Sequence, residues 1–340
     1  MRLRKSFLYL ILAALVSNAC QATDPVKRAS DKQKAPQSPK KEVEEAPAKP
    51  KTAQDIVLEK ELSYSKHSLE DSYNYKDTTR SFQWDKIKEK LAIIENFAEP
   101  DIQYAVLRNY KNLQKEAPLV KKFSRNVYTR IIDSLGVERY QSVPLYDMSD
   151  DSAPILYGRD GSLVKVLSTD SSAMVPIQGL SFEGKWQVPQ RYIKRLEKNI
   201  SFDHIICVDV KNQNICTLEK SAKGWIIRSM NPATTGQHKP PHAQETPPGI
   251  FVVQERKAKM FYFSDGTKEI GGFAPWASRF TNGAYIHGIP VNKPHNDIVE
   301  FSTSLGTIPR SHMCVRNASS HAKFIYDWAK PLQSLVLVID

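Results

Sequence analysis

Two short stretches near the C-terminus hold residues that together could do acyl-transfer chemistry. Tyr285-Ile286-His287-Gly288 is followed by Ser311-His312-Met313-Cys314-Val315-Arg316-Asn317, which sets Cys314 27 residues after His287. A free thiol has a pKa of about 8.5, so only a few per cent is thiolate at neutral pH. An imidazole nearby can take the thiol proton or, once cationic, hold the thiolate. Arg316 adds a charge that is always present. Attack on an amide carbonyl would form an oxyanion, for which backbone N–H groups beside Cys314 are the natural donors. A zinc site built from His287, His295, His312 and Cys314 is disfavoured because the spacing fits no compact zinc pattern and no second Cys pair stands nearby. Papain-like enzymes place the cysteine before the histidine; here the order is reversed.

These residues need β-strands to carry them, and residues 198–340 read as mostly strand. Ile205 to Val210 and Ile215 to Glu219 predict a hairpin around Lys211-Asn212-Gln213-Asn214. Trp225-Ile226-Ile227, Gly249 to Val253, Ala284-Tyr285-Ile286 and Leu335 to Ile339 are further apolar runs, with one helix expected over 318–329. The pattern is that of a β-sandwich. Upstream, residues 141–197 alternate short β-like runs with turns such as Tyr157-Gly158-Arg159-Asp160-Gly161, which predicts a small β-barrel. Its ending, Trp186-Gln187-Val188-Pro189, resembles Src-homology-3-like wall-associated domains. Residues 81–140 predict a helical unit, because Trp84, Ile87, Leu91 and Ile94, then Tyr104, Leu107, Tyr110 and Leu113, recur at helical spacing.

The chain of 340 residues is 41% hydrophobic and 25% charged, with formal net charge +11. That composition supports a real core, and part of the positive excess sits before the folded body. Residues 1–20 predict an export signal: Arg2, Arg4 and Lys5, then an apolar run from Phe7 to Val16, then small or polar residues before Cys20. The run is too short to span a bilayer. The order predicts a lipoprotein signal with Cys20 lipidated, and hence membrane anchoring in the cell envelope. Residues 21–80 predict a disordered tether, rich in Lys, Pro, Ala and Glu over 21–55 and polar beyond. Cys207 and Cys216 face each other across the predicted hairpin, either as a disulfide or as two buried thiols. No internal repeat, nucleotide-binding glycine loop or coiled-coil heptad is present, and no nucleic-acid partner is expected.

At the two C-terminal stretches the chain resembles the L,D-transpeptidase catalytic domain of the YkuD type. That family's pattern is His-Gly on one strand, then [Ser/Thr]-His-Gly-Cys-[apolar]-[Arg/Asn] after a variable loop. His287-Gly288 and Ser311-His312-Met313-Cys314-Val315-Arg316 match it. Thr234-Thr235-Gly236 with Thr246-Pro247-Pro248-Gly249-Ile250-Phe251, and Pro275-Trp276 with Arg279-Phe280-Thr281, resemble further family segments. The resemblance covers about residues 200–340. It implies Cys314 as nucleophile, His287 as base with its ring oriented by the Gly288 carbonyl, and His312 as a secondary site residue. It implies substrate contacts from Tyr285, Ser311 and Arg316, and an oxyanion hole from the N–H groups of Met313 and Cys314. The implied substrates are peptidoglycan stem peptides, the implied reaction cell-wall cross-linking, and no metal or organic cofactor is needed. Two departures stand out. Met313 replaces the family's glycine, which is costly if that position needs φ > 0. The loop from His287 to Cys314 is also long, and its extra residues, about 290–305, are expected to form a lid or flap. The alternatives are a catalytically weak peptidoglycan-binding protein, or a carboxypeptidase or endopeptidase using the same cysteine.

Overall fold

The computed structural model describes residues 49–168 and 172–340. The signal, Cys20 and the tether up to residue 48 lie outside the described residues. In chain order the elements are β1 (Leu58–Lys60), β2 (Ser72–Tyr75), β3 (Thr78–Ser81), α1 (Trp84–Phe97), β4 (Gln103–Leu107), β5 (Ser124–Arg125), β6 (Ile131–Ile132), β7 (Ser142–Leu145), β8 (Leu156–Arg159), β9 (Leu163–Val166), β10 (Met174–Gly179), β11 (Lys185–Pro189) and β12 (Ile193–Arg195). The C-terminal part adds β13 (His204–Asp209), β14 (Asn214–Ser221), β15 (Gly224–Pro232), β16 (Gly249–Val252), β17 (Glu255–Phe263), β18 (Ile270–Thr281), β19 (Ala284–His287), β20 (Val291–Asn292), β21 (Val315–Arg316), α2 (Ser319–Trp328) and β22 (Ser334–Ile339). The protein is mainly β. Among the described residues no helix is long and apolar enough to cross a membrane.

The unbroken apolar runs of β13 and β22 have a direct cause. These strands pair in parallel at the centre of a six-stranded sheet ordered β1-β15-β14-β13-β22-β16. A central strand is buried on both faces and so needs apolar residues at every position. Successive side chains go to opposite sides. Ile205, Cys207, Leu335, Leu337 and Ile339 join one core, which also takes in Ile87, Leu91 and Ile94 of α1. Ile206, Val208, Val336 and Val338 join another, shared with Phe280, Ile286, Val315 and Ile325. The first sheet is thus covered by α1 on one face and by a second sheet, β17-β18-β19-β21, with α2 on the other. Each of these fully buried aliphatic side chains contributes about 1.5–3 kcal/mol. Cys207 and Cys216 are cross-strand partners and both are buried free thiols.

Two expectations are corrected. First, the helical reading of 81–140 holds for α1 alone. Tyr104 and Leu107 lie on β4, a strand buried from Tyr104 onward that pairs with β9 and β12. Short apolar runs fit both periods, and burial between two neighbours decides for strand here. The small β unit therefore begins well before residue 141: its five-stranded sheet runs β11-β10-β9-β4-β12. The β7–β8 hairpin folds against it through a Tyr146–Gln187 bridge, around Leu107, Val143, Leu145, Val164 and Ile177.

Second, the tether expected to reach residue 80 gives way to ordered structure by residue 53. β1 extends the large sheet in parallel with β15, pairing Leu58 with Trp225, and β2–β3 form a hairpin. Strand addition is driven by backbone hydrogen bonds, which polar composition does not reveal. Between these elements, Lys66 Nζ lies 2.9 Å from Glu300 and the His67 ring packs on Phe301 at 4.4 Å. These contacts tie the N-terminal segment to the long loop at 290–305.

Candidate active site

The strand pair β19–β21 assembles the site. They run parallel, with Ile286 opposite Val315 and His287 opposite Arg316. Alternation sends Ile286 and Val315 into the core between the sheets. It turns His287, Cys314 and Arg316 to the other side, where all three line a cleft of about 760 Å³. A 27-residue separation in sequence becomes adjacency because one parallel register brings the strand ends together.

The loop that carries Cys314 is held from several directions. Gly236 and Ser311 form a bridge, and Thr234 and Arg316 exchange two backbone hydrogen bonds of 2.8 Å. The Ser311 hydroxyl donates to the Cys314 carbonyl. Thr246 Oγ1 donates to the Met313 carbonyl at 2.8 Å while accepting from the Gly236 N–H. A Cβ on Gly236 would stand 2.7 Å from the Met313 Cα, so only glycine allows this approach. Met313 itself has φ +88°, a conformation that glycine adopts freely and that costs a residue with a Cβ. Its side chain is buried in the inter-sheet core, which offsets part of that cost.

His287 is buried, and its Nδ1 lies 2.6 Å from the Gly288 carbonyl. That contact fixes the tautomer with the proton on Nδ1 and leaves Nε2 as the basic atom. Burial, opposed by the Gly288 carbonyl and assisted by the Arg316 charge, pulls its pKa from 6.5 down to about 4. The ring is therefore neutral at physiological pH. Cys314 Sγ contacts the Gly283 carbonyl at 3.6 Å. Burial pushes its thiol pKa up, opposed by the Tyr285 backbone and by Arg316. The resting pair is thus thiol and neutral imidazole. Arg316 lines the cleft with Nε buried and without a hydrogen-bond partner. No carboxylate pairs with it among the described residues.

His312 stands at the exposed mouth, its Nε2 3.2 Å from Asp265 Oδ2. Ser311 lines the cleft; Gly288 and Met313 stand behind it as backbone supports. Tyr285 departs from its expected place. Its hydroxyl donates to Glu255 Oε1 at 2.7 Å and accepts from Lys257 Nζ at 3.1 Å, beneath the site rather than in the cleft. Sequence reasoning missed Tyr262 and Asp265, brought by the β17–β18 hairpin, and Ser304 from the long loop. No sequence signal marks them, because only pairing of distant strands brings them to the cleft. His242, from the proline-rich loop before Thr246, also lines the cleft.

Residues 203–338 match the family described as YkuD, L,D-transpeptidase catalytic domain. No curated protein matches the chain. Among solved structures the chain is similar to a fused Zn-dependent amidase/peptidase/peptidoglycan-binding domain-containing protein from Clostridium acetobutylicum, at 19% identity over 40% of this chain and 52% of that one, TM-score 0.29. It thus spans about half the length of that relative. It is also similar to an L,D-transpeptidase from Mycobacterium smegmatis, at 17% identity over 52% of this chain and 82% of that one, TM-score 0.34. A third is L,D-transpeptidase 3 from Mycobacterium tuberculosis in complex with a faropenem-derived adduct, at 15% identity over 54% and 93%, TM-score 0.34.

Proposed function

We propose that the chain, whose residues 203–338 match the L,D-transpeptidase catalytic domain family, makes a thioester between Cys314 and a peptidoglycan tetrapeptide stem and passes that stem to an amine. The observation that carries this reading is the single cleft lined by His287 and Cys314, with His287 Nδ1 tied to the Gly288 carbonyl and Nε2 left free to act. The Cys314 thiol gives its proton to His287 Nε2 as sulfur attacks the carbonyl between an L-centre and D-Ala. The N–H groups of Met313 and Cys314 have no acceptor among the described residues and are the donors for the oxyanion. The imidazolium returns its proton to the departing D-Ala amine, and the C–N bond breaks. An incoming amine, the side chain of a second stem's diamino acid, then attacks the thioester, loses a proton to His287 and restores the thiol.

The low basicity of His287 suits this cycle. A pKa of about 4 keeps the ring unprotonated and ready to accept, and makes the imidazolium a strong acid toward the leaving amine. Arg316 supplies an unpaired guanidinium beside the nucleophile, suited to a stem carboxylate. Met313 carries a positive φ but removes no reacting group, and the cleft that holds both thiol and imidazole favours an enzyme over a catalytically weak wall-binding protein. Export, with Cys20 lipidated and the body held in the cell envelope, belongs to the same proposal.

The test is mass analysis after incubation with disaccharide-tetrapeptide, beside Cys314→Ala. The expected result is release of D-Ala and a covalent stem adduct on the parent alone. Turnover retained in Cys314→Ala would sink the assignment. A second arm with a carbapenem should give one adduct on the parent and none on the variant.

A further inference from the structure

The turn between β8 and β9 of the small β unit enters the catalytic domain, and its charge ends up fully buried. Asp160 has no exposed surface. One carboxylate oxygen accepts the N–H groups of Asn109 at 2.8 Å and Tyr110 at 3.1 Å. The other accepts Arg279 Nη1 at 2.7 Å, Gln254 Nε2 at 2.8 Å and the Asn282 N–H at 3.1 Å. Its backbone carbonyl accepts the Thr281 hydroxyl at 2.5 Å. Gly161, at φ +89°, packs so closely that a Cβ would lie 2.0 Å from the Phe280 carbonyl oxygen. No residue but glycine can follow Asp160 here.

What Asp160 grips is the tight turn from β18 to β19, at Thr281, Asn282 and Gly283. The far side of that turn touches the reactive sulfur, since Cys314 Sγ meets the Gly283 carbonyl at 3.6 Å. Two residues on, the Tyr285 backbone favours the thiolate form of Cys314. The turn thus offers an acceptor to the thiol and support to the thiolate, and Asp160 fixes where both stand. Arg279 completes the brace: it reaches Asp160, the Asn282 carbonyl and, through Glu255, the Tyr285 hydroxyl.

Resting on the reading of Cys314 as nucleophile, we infer that Asp160 is a positioning residue for it: the small β unit sets the thiol through the 281–283 turn and is an integral part of the catalytic machinery. Small displacements at this turn matter because acyl transfer depends on the sulfur's line of approach; a shift of about 1 Å can cost on the order of 100-fold in rate.

The experiment compares the full chain with Asp160→Asn, which keeps shape and removes the charge. Alkylation of Cys314 by iodoacetamide is followed by peptide mass across about pH 6 to 10, bracketing the thiol range, beside kcat and KM for D-Ala release. The expected result is an alkylation midpoint raised by about half a pH unit or more, and kcat lowered about tenfold with KM held within about twofold. A folded Asp160→Asn protein with the parent's midpoint and kcat overturns the inference. So does a lowered melting temperature with an unmoved thiol profile, because that is support of the fold and nothing more. If Asp160→Asn does not fold, Thr281→Val decides, since it loses only one hydrogen bond from the same turn: a raised midpoint supports the inference and an unmoved one overturns it. A parent that alkylates but releases no D-Ala defeats the transpeptidase reading, while the midpoint comparison still reads Asp160.

Discussion

Two polar clusters flank the β18–β19 turn, and they are built on opposite plans. At the junction with the small β unit, every charged atom is matched: Asp160 accepts five hydrogen bonds through its carboxylate. Arg279, equally buried, donates to Asp160, Glu255, Gln254 and the Asn282 carbonyl. In the cleft, by contrast, Arg316 Nε is buried without a partner, and Cys314 has one long sulfur contact. His287 uses one ring nitrogen and leaves the other open. Unmatched buried groups cost stability, and folds keep them where a ligand or a reaction will complete them. The closed cluster holds geometry; the open one is the place where the proposed chemistry would occur.

The largest effect that sharpens this contrast is on rate. His287→Gln keeps a polar side chain but removes the proposed base, and should lower thioester formation by about 10²–10⁴ with the melting temperature held or raised. A rate within a few fold of the parent would show that His287 is not the proton acceptor. Next come two replacements of the same type. Arg279→Met strips a buried carboxylate of its cation and should destabilise by about 3–5 kcal/mol. Arg316→Met removes an unpaired cation from the cleft and should change stability by no more than about 1 kcal/mol, while weakening substrate use. Urea midpoints read both. Equal losses at the two sites would break the distinction between closed and open clusters.

The histidines give a pH signature of intermediate size. Burial lowers His287 from 6.5 to about 4 and His321, fully enclosed against Ser229, from 6.5 to about 3. The folded state refuses protons that the unfolded chain accepts. Their stabilising share is complete above pH 6.5 and is lost as pH falls from there toward the folded values. Each contributes a slope of up to about 1.4 kcal/mol per pH unit. His321→Phe should remove one histidine's share of the slope between pH 6.5 and 5, as read by unfolding midpoints, and leave the acid limb of activity near pH 4 to His287. An unchanged slope in that variant would mean His321 is not buried neutral.

Much of the cleft was legible because its residues are local in sequence. Ser311 to Arg316 and His287-Gly288 each lie within one strand end or turn, and the strand tendencies of 284–287 indicate which side chains share a face. The positive φ at Met313 followed from the glycine that the family pattern holds there. What escaped was set by distant pairing. Tyr104 and Leu107 satisfy helical and strand spacing alike until β9 and β12 close around them. Residues 56–80 read as polar, yet β1 adds to β15 through its backbone. Tyr285 sits on the expected strand, but Glu255, 30 residues away, claims its hydroxyl. The Asp160–Arg279 pair joins residues 119 apart, and no local pattern marks it.

The smallest expected effect concerns Met313, where closed packing and open chemistry meet in one residue. Its φ of +88° penalises any residue with a Cβ by about 1–2 kcal/mol. Its side chain, however, fills the core between the sheets, and removing a buried methionine from a core ordinarily costs about 2–5 kcal/mol. The two terms oppose each other, so Met313→Gly should destabilise by about 2 kcal/mol, the difference between the midpoints of those ranges and less than the full packing loss. Met230, fully buried on β15 without positive φ, is the comparator: Met230→Ala should show the full packing loss. Catalysis should survive Met313→Gly, because the backbone conformation that aims the N–H groups is the one glycine adopts freely. If Met313→Gly costs as much as Met230→Ala, the strain at residue 313 is negligible. The methionine would then be an ordinary core residue that happens to precede Cys314.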